Sequence, residues 1–77
     1  MTRPNPRTEM RSEAMPLGDG LTVRFAIING RMEAAFSPTP PHGRKARRIL
    51  PAYRRARDEF LRRFSVRTGL TVGVLEI

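Results

Sequence analysis

The chain has 77 residues, no cysteine and a net charge of +8 at pH 7. A chain of this length forms at most one domain with a small core, and without cysteine it has neither disulfides nor a zinc–thiolate site. No N-terminal apolar run resembles a signal peptide, and no stretch approaches the roughly 20 apolar residues of a membrane-spanning helix. We therefore expect a cytoplasmic protein with no membrane partner.

Residues 1–20 contain three prolines and two glycines, and their acidic and basic charges cancel. A segment with so few large apolar side chains buries too little surface to fold, so its composition predicts a disordered tail. Its arginines form at most a weak basic arm, because acidic residues offset them. Met10 and Met15 are alternative candidates for the first residue. The predicted domain, a single small α+β unit, spans residues 21–77.

The first predicted element is a β-hairpin. Residues 21–28 (LTVRFAII) and 31–36 (RMEAAF) flank Asn29–Gly30. An Asn-Gly pair between alternating apolar runs indicates a two-residue type I′ turn, which needs positive φ at both positions. The turn fixes the register, from Ile28–Arg31 to Val23–Phe36. One face of the hairpin is then apolar throughout, formed by Leu21, Val23, Phe25, Ile27, Met32, Ala34 and Phe36.

A proline-rich connector, residues 37–43 (SPTPPHG), follows the hairpin. Clustered prolines forbid regular strand pairing and favour an extended spacer, which we prefer to a PxxP peptide ligand. His42 is the single histidine of the chain and has no second metal-type ligand beside it. We expect it to contact a phosphate or to have no role, rather than to bind metal or act in catalysis.

An amphipathic helix is predicted next. Residues 44–67 hold ten of the fifteen lysine and arginine residues against only Asp58 and Glu59, so the net charge is concentrated here. Pro51 suits the first turn of a helix, and we favour a helix that begins near Pro51. The alternative is one helix from about Arg44 with Pro51 inside it. At about 100° per residue, one narrow arc holds the apolar side chains of Ile49, Tyr53, Ala56, Phe60 and Phe64.

The last segment is predicted to be a strand. Gly69 suits a helix C-cap, and residues 70–77 are apolar and rich in β-branched side chains. The element order is then β-β-α-β, and the first hairpin strand takes the centre of the sheet because it is apolar on both faces at its end. The predicted fold class is α+β, with two layers in which one amphipathic helix packs on one face of a three-stranded sheet.

The basic residues predict nucleic-acid binding. If the helix begins near Pro51, a cluster of cations lies beside its positive dipole end and its free N–H groups, an arrangement that favours an external phosphate. Further arginines face outward along the helix. The candidate residues for mainly sequence-nonspecific contacts with DNA or RNA are Arg44, Lys45, Arg47, Arg48, Arg54, Arg55 and Arg62. The alternative is a charged helix face that is only solvated.

Other functions have weaker support. The sequence contains no phosphate loop, nucleophile motif or cluster of metal ligands, so we expect no catalytic residues, no enzyme activity, no cofactor and no metal. The rival function is a protein-interaction module, an inhibitor or an accessory factor, that docks on an acidic protein surface or through its sheet edge. On the far face of the predicted sheet, Leu75 beside Ile28 gives an uncovered apolar patch, which makes a homodimer as plausible as a monomer. A membrane-surface helix is disfavoured, because its apolar residues are needed over the hairpin.

Overall fold

The computed structural model describes residues 9–76, which form four strands and one helix. The fold is α+β, as predicted, but the antiparallel sheet has four strands rather than three. Strand β3 is central: β4 pairs along one edge, and β1 and β2 pair one after the other along the opposite edge. The elements are β1 (Met10–Arg11), β2 (Met15–Gly18), β3 (Leu21–Ile28), β4 (Arg31–Ser37) and α1 (Gly43–Thr68).

The β3–β4 hairpin confirms the sequence prediction. Asn29 and Gly30 have φ values of 54° and 75°, the positive values that a type I′ turn requires. The predicted register is observed from Ile28–Arg31 to Val23–Phe36. Side chains alternate along β3, and those on one face are buried: Leu21, Val23, Phe25 and Ile27.

Strands β1 and β2 lie where we expected a disordered tail, and that expectation is wrong for these residues. The reason is a second tight turn. Asp19 and Gly20 have φ values of 53° and 74°, so Asp-Gly connects β2 to β3 much as Asn-Gly connects β3 to β4. Leu17 is 4% exposed and belongs to the hydrophobic core. Residues 1–8 of the predicted tail lie outside the described part of the chain.

Ser12 spans the break between β1 and β2. Its backbone N–H donates to the Phe25 carbonyl at 2.8 Å, and its hydroxyl oxygen accepts from the Phe25 N–H, also at 2.8 Å. A side-chain oxygen thus replaces a backbone carbonyl in the ladder. The pairing with β3 therefore continues through Ser12. Together, β1, Ser12 and β2 supply hydrogen-bond partners to the backbone along one edge of β3.

Helix α1 begins at Gly43, so the favoured start near Pro51 is wrong and the alternative, with Pro51 inside the helix, is correct. Ile49 lies four residues before Tyr53 on the same apolar face and is 2% exposed, so the early turns gain a buried anchor. Pro51 and Arg47 are both exposed. The carbonyl that loses its helical N–H partner to proline, that of Arg47, therefore remains close to solvent.

The helix meets the buried face of β3 through aromatic rings. Phe25 lies at the centre of the core, with its ring centroid 5.5 Å from that of Tyr53 and 5.6 Å from that of Phe60. Each such side chain contributes about 1.5–3 kcal/mol when fully buried. The predicted apolar arc is confirmed, because the buried apolar residues of α1 are Ile49, Tyr53, Ala56, Phe60 and Phe64. This packing fixes which face of the helix is turned outward.

The predicted third strand after the helix is wrong for the described residues. The helix ends as expected at Gly69, a left-handed C-cap with φ of 73°, but residues 70–76 form no strand. We expected this segment to pair with β3 on the edge opposite β4, but β1 and β2 already pair with that edge. The Tyr53 hydroxyl instead donates to the Leu75 carbonyl at 2.9 Å. This contact holds Leu75 against the helix, not on the far face of the sheet.

Candidate nucleic-acid interface

The first two turns of α1 carry four of the predicted binding residues. Arg44, Lys45, Arg47 and Arg48 lie inside the helix rather than before it, and the three arginines are exposed. The N-cap residue His42 makes no side-chain cap hydrogen bond, and no acidic residue lies in the first turn. The helix thus begins with backbone N–H groups that no side chain caps and with cations that its dipole disfavours.

The exposed face of α1 carries the remaining predicted residues. The angular position of a residue advances by about 100° per step, so Arg55 and Arg62 fall in the same arc as Arg44 and Arg48. Arg54 lies at the rim of this arc. All of these side chains are exposed, and the core residues occupy the opposite side of the helix. The structure therefore brings the seven predicted residues onto one element, along about three-quarters of its length.

Acidic residues pair with three of these seven side chains. Arg48 Nε lies 3.2 Å from Asp19 Oδ2, and Arg54 Nε lies 3.1 Å from Glu76 Oε1. The third is Arg62, whose Nη2 lies 2.7 Å from an oxygen of Glu59. These are exposed pairs, which contribute little to stability, so an incoming phosphate can compete for the arginine.

The other four have no acidic partner within residues 9–76. They are Arg44, Lys45, Arg47 and Arg55. Arg55 is unpaired because Glu59, four residues later, binds Arg62 and Arg63 instead. These four uncompensated cations all lie between Arg44 and Arg55, so they give the first half of α1 a positive surface.

The paired carboxylates remain ionised at neutral pH. Hydrogen bonds from Arg62 and Arg63 hold the pKa of Glu59 below its ordinary value of 4.5. Burial alone would raise the pKa of Glu76, but hydrogen bonds from Arg54 and Arg57 outweigh it and lower the pKa. Both groups therefore stay negative across the physiological range and compensate their arginines.

Sequence reasoning missed Arg57. This residue is 8% exposed, the one buried charged side chain among residues 9–76. Its Nε donates to Asp58 at 3.0 Å, and its Nη1 donates to a Glu76 oxygen. Its position four residues after Tyr53, at the edge of the apolar arc, was the available signal. The partner Glu76 arrives from a distant segment, so the helix pattern alone could not identify the pair.

The far face of the sheet carries separate charges. Arg24 and Arg31 are exposed and form no ion pair with any residue between 9 and 76. No aromatic ring accompanies them there, because Phe25 is buried and Phe36 stacks on Tyr53, with ring centroids 5.9 Å apart. This face offers no platform on which single-stranded bases could stack.

The described residues contain no second type of candidate site among those considered next. Within residues 9–76, no three histidine, aspartate or glutamate side chains are grouped as metal ligands would be. No helix in this range is both long and apolar enough to cross a membrane. The chain matches no protein family, no curated protein and no solved structure.

Proposed function

We propose that this is a small nucleic-acid-binding protein that holds the phosphate backbone of DNA or RNA with the outward face of α1. The observation that carries the proposal is a set of four cations in the first half of α1 that have no acidic partner among residues 9–76. Arg44, Arg47 and Arg55 lie on its outward face, and the partly buried Lys45 lies at the side of the helix. An exposed helix face gains only about 0.2–0.5 kcal/mol from each intrahelical ion pair, so stability alone does not account for unpaired arginines.

The chemistry of these groups suits phosphate. Guanidinium groups form charge-assisted hydrogen bonds with phosphate oxygens, and the uncapped N–H groups at Gly43 and Arg44 add donors at the positive end of the helix dipole. Binding of this type releases counterions. Four contacts give a log–log salt slope of about −3.6 on duplex DNA.

We propose contacts that do not depend strongly on sequence. Long arginine side chains on a helix face reach phosphates readily, and phosphate contacts position a protein without reading bases. No phenylalanine or tyrosine ring, which would favour single-stranded bases, is exposed among residues 9–76. The function proposed is binding, with no catalytic step.

The architecture that we propose with this function has two layers, the helix on one side of the sheet. Support comes from Phe25, which contacts both Tyr53 and Phe60. In such an arrangement the core residues hold the helix rigidly, so the arginines on its opposite face keep a fixed spacing.

Fluorescence anisotropy with a short labelled DNA duplex and a labelled single-stranded RNA tests the proposal. We expect binding to both at 50 mM salt and a fall in affinity of about 150-fold for the duplex at 200 mM salt. Competition between the two nucleic acids then shows which is preferred. No binding at 50 mM salt, or an affinity that does not change with salt concentration, would refute the proposed function.

A second candidate function is docking on a protein partner. Three large apolar side chains at the end of α1 and in the segment after it are exposed. The exposed fractions are 77% for Val66, 48% for Leu70 and 62% for Val74. Exposed apolar residues beside basic ones suit an acidic protein surface or a second copy of the chain. Affinity purification after nuclease treatment separates the two functions. If the chain retains an acidic protein in a stoichiometric amount and has no affinity for nucleic acid, the result favours docking.

A further inference from the structure

We propose that Tyr53, Arg54 and Arg57 form a phosphate subsite that Glu76 occupies from within the same chain. The inference rests on the proposed function and extends it, because it adds Arg57 to the interface and assigns the last described residues a competing role. The ligand chemistry is a phosphate group, from a nucleic-acid backbone or from a free polyphosphate.

The geometry is that of a two-arginine grip on an anion. Arg54 Nε donates to Glu76 Oε1 at 3.1 Å, and Arg57 Nη1 donates to Glu76 Oε2. One guanidinium thus binds each carboxylate oxygen. The Tyr53 hydroxyl, whose pKa is raised mainly by burial, remains a neutral donor beside them and binds the Leu75 carbonyl. The two guanidinium groups can donate to a phosphate group as they do to Glu76. The Tyr53 hydroxyl can donate as well once the Leu75 carbonyl moves away together with Glu76.

Arg57 requires an anion at this point. It is 8% exposed, and Asp58 accepts from its Nε. Its Nη1 donates to Glu76 and, at 3.5 Å, to the Leu75 carbonyl of the same segment. A buried guanidinium that loses its partner is strongly disfavoured, so Glu76 can leave only when another anion or water takes its place. One anion can therefore replace another at Arg57 more readily than Arg57 can remain without a partner.

The segment that supplies Glu76 is lightly attached. Residues 70–76 form neither helix nor strand, and they follow the left-handed C-cap Gly69. Val72 packs against the core, but Leu70 and Val74 are exposed. Release of the Glu76 carboxylate breaks an exposed ion pair with Arg54 and a partly buried one with Arg57, but it leaves the packing of Val72 in place. A multivalent anion that replaces the carboxylate at Arg57 can therefore displace it.

The subsite is continuous with the unpaired cations. Arg47 lies seven residues before Arg54, which places it on the same side of the helix and about 10.5 Å away along the axis. A strand bound at Arg47 therefore passes within reach of Arg54 and Arg57. Under this arrangement Glu76 acts as a built-in competitor that weakens nucleic-acid binding.

The test compares Glu76→Gln with the matched control Glu33→Gln. Both substitutions raise the net charge by one, and Glu33 is exposed on β4 with no ion pair among residues 9–76. One additional phosphate contact should tighten duplex binding by Glu76→Gln about eightfold at 0.1 M salt and steepen the salt slope by about 0.9. Glu33→Gln should change affinity less than twofold. Equal effects of the two substitutions would overturn the subsite.

Titration of the wild-type protein with inorganic tripolyphosphate provides a readout that needs neither nucleic acid nor a variant. Chemical shifts of the Arg54 and Arg57 Nε–H groups and of the Glu76 backbone amide should move together, and the same arginine signals should saturate at lower tripolyphosphate in Glu76→Gln. If these shifts occur although no nucleic acid binds, the proposed function fails and the subsite stands. If nucleic acid binds but the Arg57 signal does not move with either ligand, the subsite fails and the proposed function stands.

Discussion

The salt dependence of binding tests whether unpaired arginines, rather than total charge, determine affinity. Arg47 and Arg55 are exposed on α1 and have no acidic partner within residues 9–76. We expect Arg47→Gln/Arg55→Gln to remove two phosphate contacts without unfolding the protein. Exposed substitutions of this kind change stability by about 0.5 kcal/mol or less.

The proposed number of phosphate contacts sets the expected magnitude. Each phosphate contact contributes about 0.9 to the salt slope, so the slope on duplex DNA should drop from about −3.6 to about −1.8. Between 50 and 200 mM salt, the wild type should then lose about 150-fold in affinity and the double variant about 12-fold. At 0.1 M salt the variant should bind about 60-fold more weakly.

The matched control is Arg24→Gln/Arg31→Gln. It removes the same charge from the far face of the sheet, where both arginines are exposed and unpaired among residues 9–76. Anisotropy titrations at four salt concentrations, together with circular dichroism melts, measure slope and stability in all three proteins. If the two double variants lose the same slope, binding follows net charge and the assignment to the helix is wrong.

Three further outcomes concern the fold. Phe60→Ala should lower the free energy of unfolding by about 3–5 kcal/mol, because the ring is fully buried against Phe25. A chain of residues 20–77 should unfold at a lower urea concentration than one of residues 9–77, since it lacks β1 and β2 and exposes one edge of β3. The urea midpoint should hold from pH 7 to about 5 and fall below pH 4.5, because the folded state lowers the pKa of Glu59 and its stabilisation is lost as that carboxylate is protonated.

Each outcome has its own control. Val66→Ala removes a side chain that is 77% exposed, and a loss equal to that of Phe60→Ala would contradict the core. Equal midpoints for residues 20–77 and 9–77 would show that β1 and β2 contribute nothing to stability. The Glu59→Gln variant should depend less on acidic pH than the wild type, and identical acid profiles would exclude this ion pair as a source of stability.

The features that the sequence predicted correctly are those that depend on residues close together in the chain. Asn29–Gly30 defined a turn, and the register of β3 and β4 followed from it. The same signal was present at Asp19–Gly20, where an Asp-Gly pair adopts the same positive φ values. The segment before this turn has little apolar periodicity beyond Met15 and Leu17. Its prolines and glycines therefore favour a disordered tail over a strand when the sequence is considered alone. Leu17 becomes buried only once β3 and α1 are in place.

The helix start and the ion pairs depended on longer-range packing. Pro51 fits the first turn of a helix as well as an exposed interior position, and burial of Ile49 against the sheet decided between the two. The acidic partners of Arg48 and Arg54 are Asp19 and Glu76. These partners come from segments more than twenty residues away, so no helical spacing could reveal that these two arginines are compensated.

The arrangement of the strands has a consequence for how quickly the chain finds its fold. β2 joins β3 through Asp19–Gly20, and β3 joins β4 through Asn29–Gly30, so these partners are sequence neighbours. Closing such small loops takes little entropy, and each hairpin forms on a timescale of about 1–10 μs. Most of the strand pairing in this sheet is therefore local in sequence, which favours fast folding.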